Sequence, residues 1–381
     1  MKKLSTFDER TKSLLTGKDN LEHLYTFKDF PVFMGCVDSP KDEDIVADMV
    51  WDICKDTGLI QLQKLIPLEI LYKNQHNDGT GKIWGEHYKA FAEFIHTYKP
   101  KNLLEIGGAH DQIARNYRTL DPEINWTIVE PNPEHIEDPK IKVIKNWFDD
   151  KFIIDGHFDT IIHSHTFEHT YDPVVFIEHI SKFMKKGDRH IFTFPNLLPM
   201  LKHNWTNCLN FEHTVFLTED FTEYILKKFG FVILEKKYYG DPHSIFYATE
   251  KKETSSTLSP MENKYKEYKS IFMGYINYHL DMIKELNTLT ESSDKPVYLF
   301  GAHIFSQTLI QFGLKTDKVV SILDNSPMKQ GKRLYGTRFM IDSPKILKDK
   351  GSVNVILKAG GYNAEIKKDI LENINSEVTF W

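Results

Sequence analysis

The sequence predicts an α/β protein in which a small irregular lobe precedes two parallel, doubly wound sheets arranged in series. Three observations predict it. From Tyr88 onward, strand-sized apolar runs alternate with amphipathic helical runs, and that alternation implies a parallel sheet wrapped on both faces. A strand, glycine, helix turn occurs twice, at Ile106-Gly-Gly-Ala-His110 and Phe300-Gly-Ala-His303, each followed by an acid after the next strand, Glu130 and Asp324. A polar, small-residue stretch, Lys251-Lys-Glu-Thr-Ser-Ser-Thr-Leu-Ser-Pro260, separates the two units and reads as a linker.

Taken in order, the first lobe (1–88) shows only short apolar pieces such as Ile60-Gln-Leu62, and no regular fold is legible in it. The second domain (89–252) begins on a helical stripe, Phe91, Phe94, Ile95 and Tyr98, which Pro100 stops. Strands are expected at Leu103–Ile106, Trp126–Val129, Lys142–Ile144, Phe158–Ile162 and His190–Phe194, with a helix from Pro173 to Met184. A helix over Phe221–Phe229 ends at Gly230, and the strand-like runs Phe231–Leu234 and Ser244–Tyr247 suit the antiparallel edge of a mixed sheet. In the third domain (253–381) a long helix carries Tyr265, Tyr268, Ile271, Phe272, Tyr275 and Ile276 on one stripe. Strands follow at Val297–Phe300, Lys318–Leu323 and Val353–Leu357.

Composition narrows the function. The chain has 381 residues, with Lys plus Arg at 48 against Asp plus Glu at 54 for a formal net charge of -6, which disfavours non-specific nucleic-acid binding. No apolar stretch approaches the ~20 residues that span a bilayer. Asp8, Glu9 and Arg10 stand where a signal peptide needs its apolar core. A soluble, cytoplasmic protein is expected. Cys36, Cys54 and Cys208 lie too far apart for a disulfide framework or a four-thiolate zinc site.

The first glycine turn is the place for a ligand, because doubly wound sheets bind beyond the carboxyl ends of their strands. Leu104-Glu-Ile-Gly-Gly-Ala109 supplies Glu105, Gly107 and Gly108, and Glu130-Pro131 follows the second strand. A carboxylate there accepts the hydroxyl hydrogens of a ribose. Ala109 and Gln112 occupy positions where a dinucleotide cradle has glycines, so S-adenosylmethionine (SAM), which has a ribose and no phosphate, fits better. Ser164-His165, Phe167-Glu168-His169 and Asp172-Pro173 repeat the local grammar of class I SAM methyltransferases.

From Thr57-Gly-Leu-Ile-Gln-Leu62 to the C-terminus the motif order resembles the SAM-dependent C-methyltransferases of nucleotide-linked deoxysugars. The resemblance rests on Trp84 and His87, Glu105-Ile-Gly107 with Asp111, Glu130-Pro131, Glu212-His213, Gly301-Ala302, Asp324-Asn-Ser-Pro327 with Lys329-Gln-Gly331, and Asn363-Ala-Glu-Ile366. It implies three lobes, with a nucleotide-sugar in the cleft between them. Two departures stand out. Of the family's four zinc cysteines only Cys54 is present, with Thr57 in its partner's place; no structural zinc and no other metal are expected. The family's tyrosine-rich segment is here Tyr72-Lys-Asn-Gln-His-Asn-Asp-Gly79, leaving His76 or Asn77 where a catalytic tyrosine belongs.

By this resemblance His213 would be the general base and Glu212 its orienter or a substrate ligand; the alternative for the pair is a surface loop or a local helix cap. His169 lies near the acceptor or packs as a neutral ring. His165 and His110 line the SAM site or face solvent, and His163 alternates into the core. Trp84, Tyr88 and Trp147 stack on a base or belong to the core. Asp149 contacts the adenine amino group or sits in an exposed turn, and Asp324 binds a second ribose or holds a turn. The expected activity is methyl transfer from SAM to a nucleotide-activated sugar or related small polar metabolite, with proton removal by a histidine. Transfer to oxygen or nitrogen, and an inactive scaffold, are the alternatives. The oligomeric state is not legible.

Overall fold

The computed structural model describes residues 1–72, 82–133, 136, 138–240, 242–253 and 258–381. The first lobe is a sheet, against the irregular lobe expected. Its strands β2 (Leu21–Pro31) and β3 (Ile45–Cys54) run antiparallel, β1 (Lys2–Lys3) lies parallel to β3, and β4 (Ile60–Leu62) pairs with β3. Register shifts between His23 and Tyr25 and between Phe27 and Phe30 break the two-residue alternation of β2. That is why period-2 reading misses it.

The central sheet contains β5 (Asn102–Ile106), β6 (Asn125–Val129), β7 (Ile141–Ile144), β8 (Thr160–Ser164), β9 (Arg189–Pro195), β10 (Phe231–Tyr239) and β11 (Ser244–Lys251). They lie in the order β7-β6-β5-β8-β9-β11-β10, parallel up to β9, with β11 antiparallel to both of its neighbours. Buried on both faces, the inner strands read as near-continuous apolar runs. Helix α1 (Lys82–His96) buries Phe91, Phe94 and Ile95 against this sheet, and α2 (Gln112–Arg118) packs beside it. Because α1 is continuous from Lys82 to His96, it runs through the boundary placed at 88. Helix α3 (Pro173–Phe183) starts where Asp172 accepts from the amides of Val174 and Val175 and Pro173 takes the first turn, a donor-satisfying start. Helix α4 is Glu219–Lys228.

Helix α5 (Tyr265–Ser292), about 42 Å long at ~1.5 Å per residue, packs on β2 and β3 of the first lobe. Its start presses on Gly58 (φ +85°), where a Cβ would sit 2.6 Å from the Lys264 carbonyl carbon. Only glycine fits there. The last domain stacks β12 (Val297–Phe300), β13 (Val319–Leu323), β14 (Ile341–Asp342), β15 (Val353–Leu357) and β16 (Val378–Phe380) in the all-parallel order β14-β13-β12-β15-β16, with α6 (Ile304–Gln311) after β12. The echo between the two glycine turns is structural: Gly107 N donates to Val129 O and Gly301 N to Leu323 O, both at 2.9 Å.

The first and last lobes are joined directly. Cys36–Val37 pairs antiparallel with Arg333–Leu334, and Gln307 Nε2 donates to the carbonyls of Phe33 (3.0 Å) and Tyr335 (2.9 Å). Arg333 grips the fully buried Asp44 through two bonds of 2.7 Å, NH1 to Oδ2 and NH2 to Oδ1. No described helix is long and apolar enough to cross a membrane.

Candidate active site

The strand order reverses between β5 and β8, so the ligand crevice opens above their carboxyl ends. Gly107 (φ +79°) turns the chain there, and a Cβ on it would lie 2.6 Å from Thr166 Oγ1 in the loop after β8. The carboxylate of Glu105 is buried beneath Gly108, where it accepts the Trp126 indole N–H at 2.7 Å. Burial pushes it up to about 7. Glu105 thus supports the turn from below. Glu130 and Pro131 follow β6 at the rim, and Glu130 Oε1 accepts from Asn132 N at 2.9 Å. Asp149 is exposed and its Oδ1 accepts from Lys151 N (2.9 Å), so it holds a local turn. His110 is half-buried just ahead of α2.

Beyond β8, six ionisable side chains meet: Tyr72, His165, Glu168, His169, Glu212 and His213. Glu168 Oε1 lies 3.2 Å from His165 Nδ1 and 3.8 Å from His169 Nε2, and its Oε2 is buried with no described hydrogen-bond partner. His169 Nδ1 lies 3.3 Å from Glu212 Oε2 and 3.4 Å from the Tyr72 hydroxyl. The Glu212 carboxylate therefore meets His169, and the expected pairing of Glu212 with His213 is replaced by another contact. Asn210 Oδ1 accepts from the backbone amides of Glu212 (2.8 Å) and His213 (2.9 Å), which fixes the amide's orientation. Its Nδ2 then donates to His213 Nδ1 at 3.3 Å. A neutral His213 ring consequently carries its proton on Nε2.

The electrostatics differ accordingly. Burial lowers the His169 pKa, yet the bond to Glu212 and the charges of Glu168 and Glu212 outweigh it and hold the ring above its ordinary value. Burial and the neighbouring His169 depress His213 to about 4. Burial raises Glu168, but the His165 bond and the charges of His165, His169 and His213 win and keep it below the usual carboxylate range.

A second group adjoins the first. His165 (φ +50°) reaches Ser244 Oγ with Nε2 (3.0 Å), and His243 Nδ1 lies 2.6 Å from the same hydroxyl. His87 from α1 completes the group, and Trp84 sets its indole edge-on to the rings of His165 (4.8 Å) and His243 (5.0 Å). Trp84 also bonds the Tyr362 hydroxyl of the last domain. His163 is in the core as expected, 3.0 Å from His190. His76 and Asn77 lie outside the described residues. Sequence reading singled out neither His243 nor Ser244, nor the role of Asn210, because each is set by contacts between distant segments.

In the last domain Asp324 closes on its own loop: Oδ2 accepts from Ala302 N (2.9 Å) and Lys329 Nζ (3.1 Å), and Oδ1 from Ser326 N (2.9 Å). At the carboxyl end of β15 a crevice is lined by Trp205, Lys358, Gly360, Lys367 and Trp381. In the first lobe the Cys54 thiol donates to Asn20 Oδ1 (3.4 Å), and Leu59 N donates to Thr57 Oγ1 (3.2 Å).

Residues 83–236 match the family model described as a methyltransferase domain, and residues 241–380 match the C-methyltransferase C-terminal domain. The chain is a SAM-dependent methyltransferase. Among solved structures the methyltransferase is similar to the N-methyltransferase NodS from Bradyrhizobium japonicum, at 15% identity over 45% of this chain and 97% of that one, TM-score 0.35. It is also similar to an O-methyltransferase family protein from Burkholderia thailandensis (10% identity, 45% and 56% covered, TM-score 0.36). A third, a SAM-dependent methyltransferase from Mesorhizobium loti, gives 11% identity, 39% and 90% covered, and TM-score 0.33. No curated protein matches the methyltransferase.

Proposed function

We propose that the enzyme transfers the methyl group of SAM to a carbon of a nucleotide-activated sugar, with His169 as the general base. The observation that carries the choice of carbon is the C-methyltransferase C-terminal domain over residues 241–380. The nucleotide-sugar reading is supported by the motif order and by the crevice after β15, where Lys358 and Lys367 offer charge to an anionic ligand and Trp205 and Trp381 offer apolar faces. On this reading the first lobe holds no zinc, because of the four cysteines that the resemblance implies only Cys54 is present, with Thr57 in its partner's place.

SAM fits the crevice: Gly107 turns the chain at the carboxyl end of β5 with φ +79°, as a ligand-binding strand-to-helix turn requires, and Glu130 stands at the rim. When bound there it supplies an electrophilic methyl group on a sulfonium. Gly107, Gly108, Glu130 and Pro131 would hold it, and Glu130 takes the ribose hydroxyls. Glu130→Ala should weaken SAM binding by ~1.5–3 kcal/mol, the range for a hydrogen bond to a charged group. Calorimetry showing unchanged affinity removes Glu130 from the site.

A carbon acceptor must lose a proton beside a carbonyl, which calls for a base and a donor to the enolate oxygen. Glu212 holds the Nδ1 proton of His169, so the lone pair sits on Nε2 and is available as the base. His213, fixed as the Nε2–H tautomer by Asn210, is a donor. The two rings meet edge to face at 5.1 Å. The test is incubation with labelled SAM and a panel of nucleotide-linked ketosugars, reading the product by carbon NMR. A C–CH3 signal supports the proposal; an O- or N-methyl product, or none with any sugar nucleotide, refutes it.

A further inference from the structure

We propose that His87, His165 and His243 form a binding site for a divalent transition-metal ion, separate from the Glu168–His169–His213 group. One ring nitrogen from each lies within 4.8 Å of the others. Tetrahedral coordination with metal–nitrogen bonds of ~2.0–2.1 Å sets ligand nitrogens about 3.4 Å apart, so small side-chain rotations close the set. The rings come from three places that rigid structure brings together: α1, the loop after β8, and the residue before β11.

Two independent observations favour a metal over simple packing. His87 is fully buried, its Nδ1 has no hydrogen-bond partner among the described residues, and its Nε2 is at the 3.5 Å limit from the Thr193 hydroxyl. A buried ring with an unmet polar atom beside two further imidazoles is costly unless something binds it. Behind His165, the Glu168 carboxylate takes Nδ1, leaving Nε2 directed at the shared point. A carboxylate behind an imidazole is the usual support of a metal-ligating histidine. The Ser244 hydroxyl, 3.0 Å from His165 Nε2 and 2.6 Å from His243 Nδ1, marks where those two nitrogens converge. Three neutral imidazoles suit Zn2+, Co2+ or Ni2+ and not Mg2+ or Ca2+, which take oxygen. The sequence expectation of no metal came from cysteine spacing; these histidines have no spacing signature.

The full chain, stripped with chelator and dialysed, is titrated with CoCl2 and followed by visible absorption. Saturable binding of one equivalent, with the d–d bands of low-symmetry Co2+ and displacement by Zn2+, is expected. His243→Gln, at a partly buried position, should abolish the bands while circular dichroism stays native, and His213→Gln should leave them. Absence of saturable binding overturns the site. So does binding that survives His243→Gln and disappears in His213→Gln, which would place the ion in the neighbouring group.

Discussion

His169→Ala is expected to lower turnover by about 100-fold or more while SAM affinity stays near wild type, because general-base catalysis is typically worth ~10²–10⁴. The pH profile separates the two histidines. A base works only when neutral, and His169 is held above its ordinary value of 6.5 by Glu212 and Glu168, so kcat/KM should fall as pH drops through a value above 6.5. Were His213 the base, its depressed pKa would keep it neutral down to about 4. Activity would then persist through mildly acid pH. His213→Gln, which retains a donor, should cost less than His213→Ala. A folded His169→Ala enzyme with wild-type turnover, or an acid limb near 4, returns the role of base to His213.

Arg333→Ala should destabilise the fold by ~3–5 kcal/mol, the cost of stranding a buried charge whose partner is removed. Asp44 is fully buried, and both of its oxygens are met by the guanidinium at 2.7 Å. Arg333 additionally donates to Ser39 O (2.8 Å) and Thr337 O (3.0 Å), so its loss strands backbone carbonyls as well. The double variant Arg333→Met, Asp44→Leu should recover much of the loss, since replacing a buried pair by apolar groups is often neutral. Equilibrium denaturation reads both. A loss below ~1 kcal/mol for the single variant, the worth of an exposed pair, rules out a structural role of this size.

Much of the fold was legible because the inner strands of the two parallel sheets are continuous apolar runs. Val353–Leu357 and the helix from Pro173 stand where the apolar pattern puts them. The first lobe was not, because the bulges in β2 shift the inward face twice within one strand. The glycine turn and Glu130 could be read from order alone. The partnerships around the histidines could not: whether Glu212 meets His213 or His169 depends on a loop meeting the short helix Phe167–His169, and neighbours in sequence are poor guides to neighbours in space. His243 and Ser244 carry no local signature, and their place is set by β11 running antiparallel against β9.

The clasp between Asp44 and Arg333 also bears on how the chain comes off the ribosome. The two residues are separated by 289 positions. At ~5–20 residues per second of synthesis, Asp44 waits roughly 15–60 s for its partner. Until then the edge formed by Cys36–Val37 has no strand to pair with and the carboxylate must stay hydrated, so the first lobe cannot reach its final packing early. Closure by such distant segments is slow, and it makes the nascent first lobe the stretch most in need of protection from mispairing.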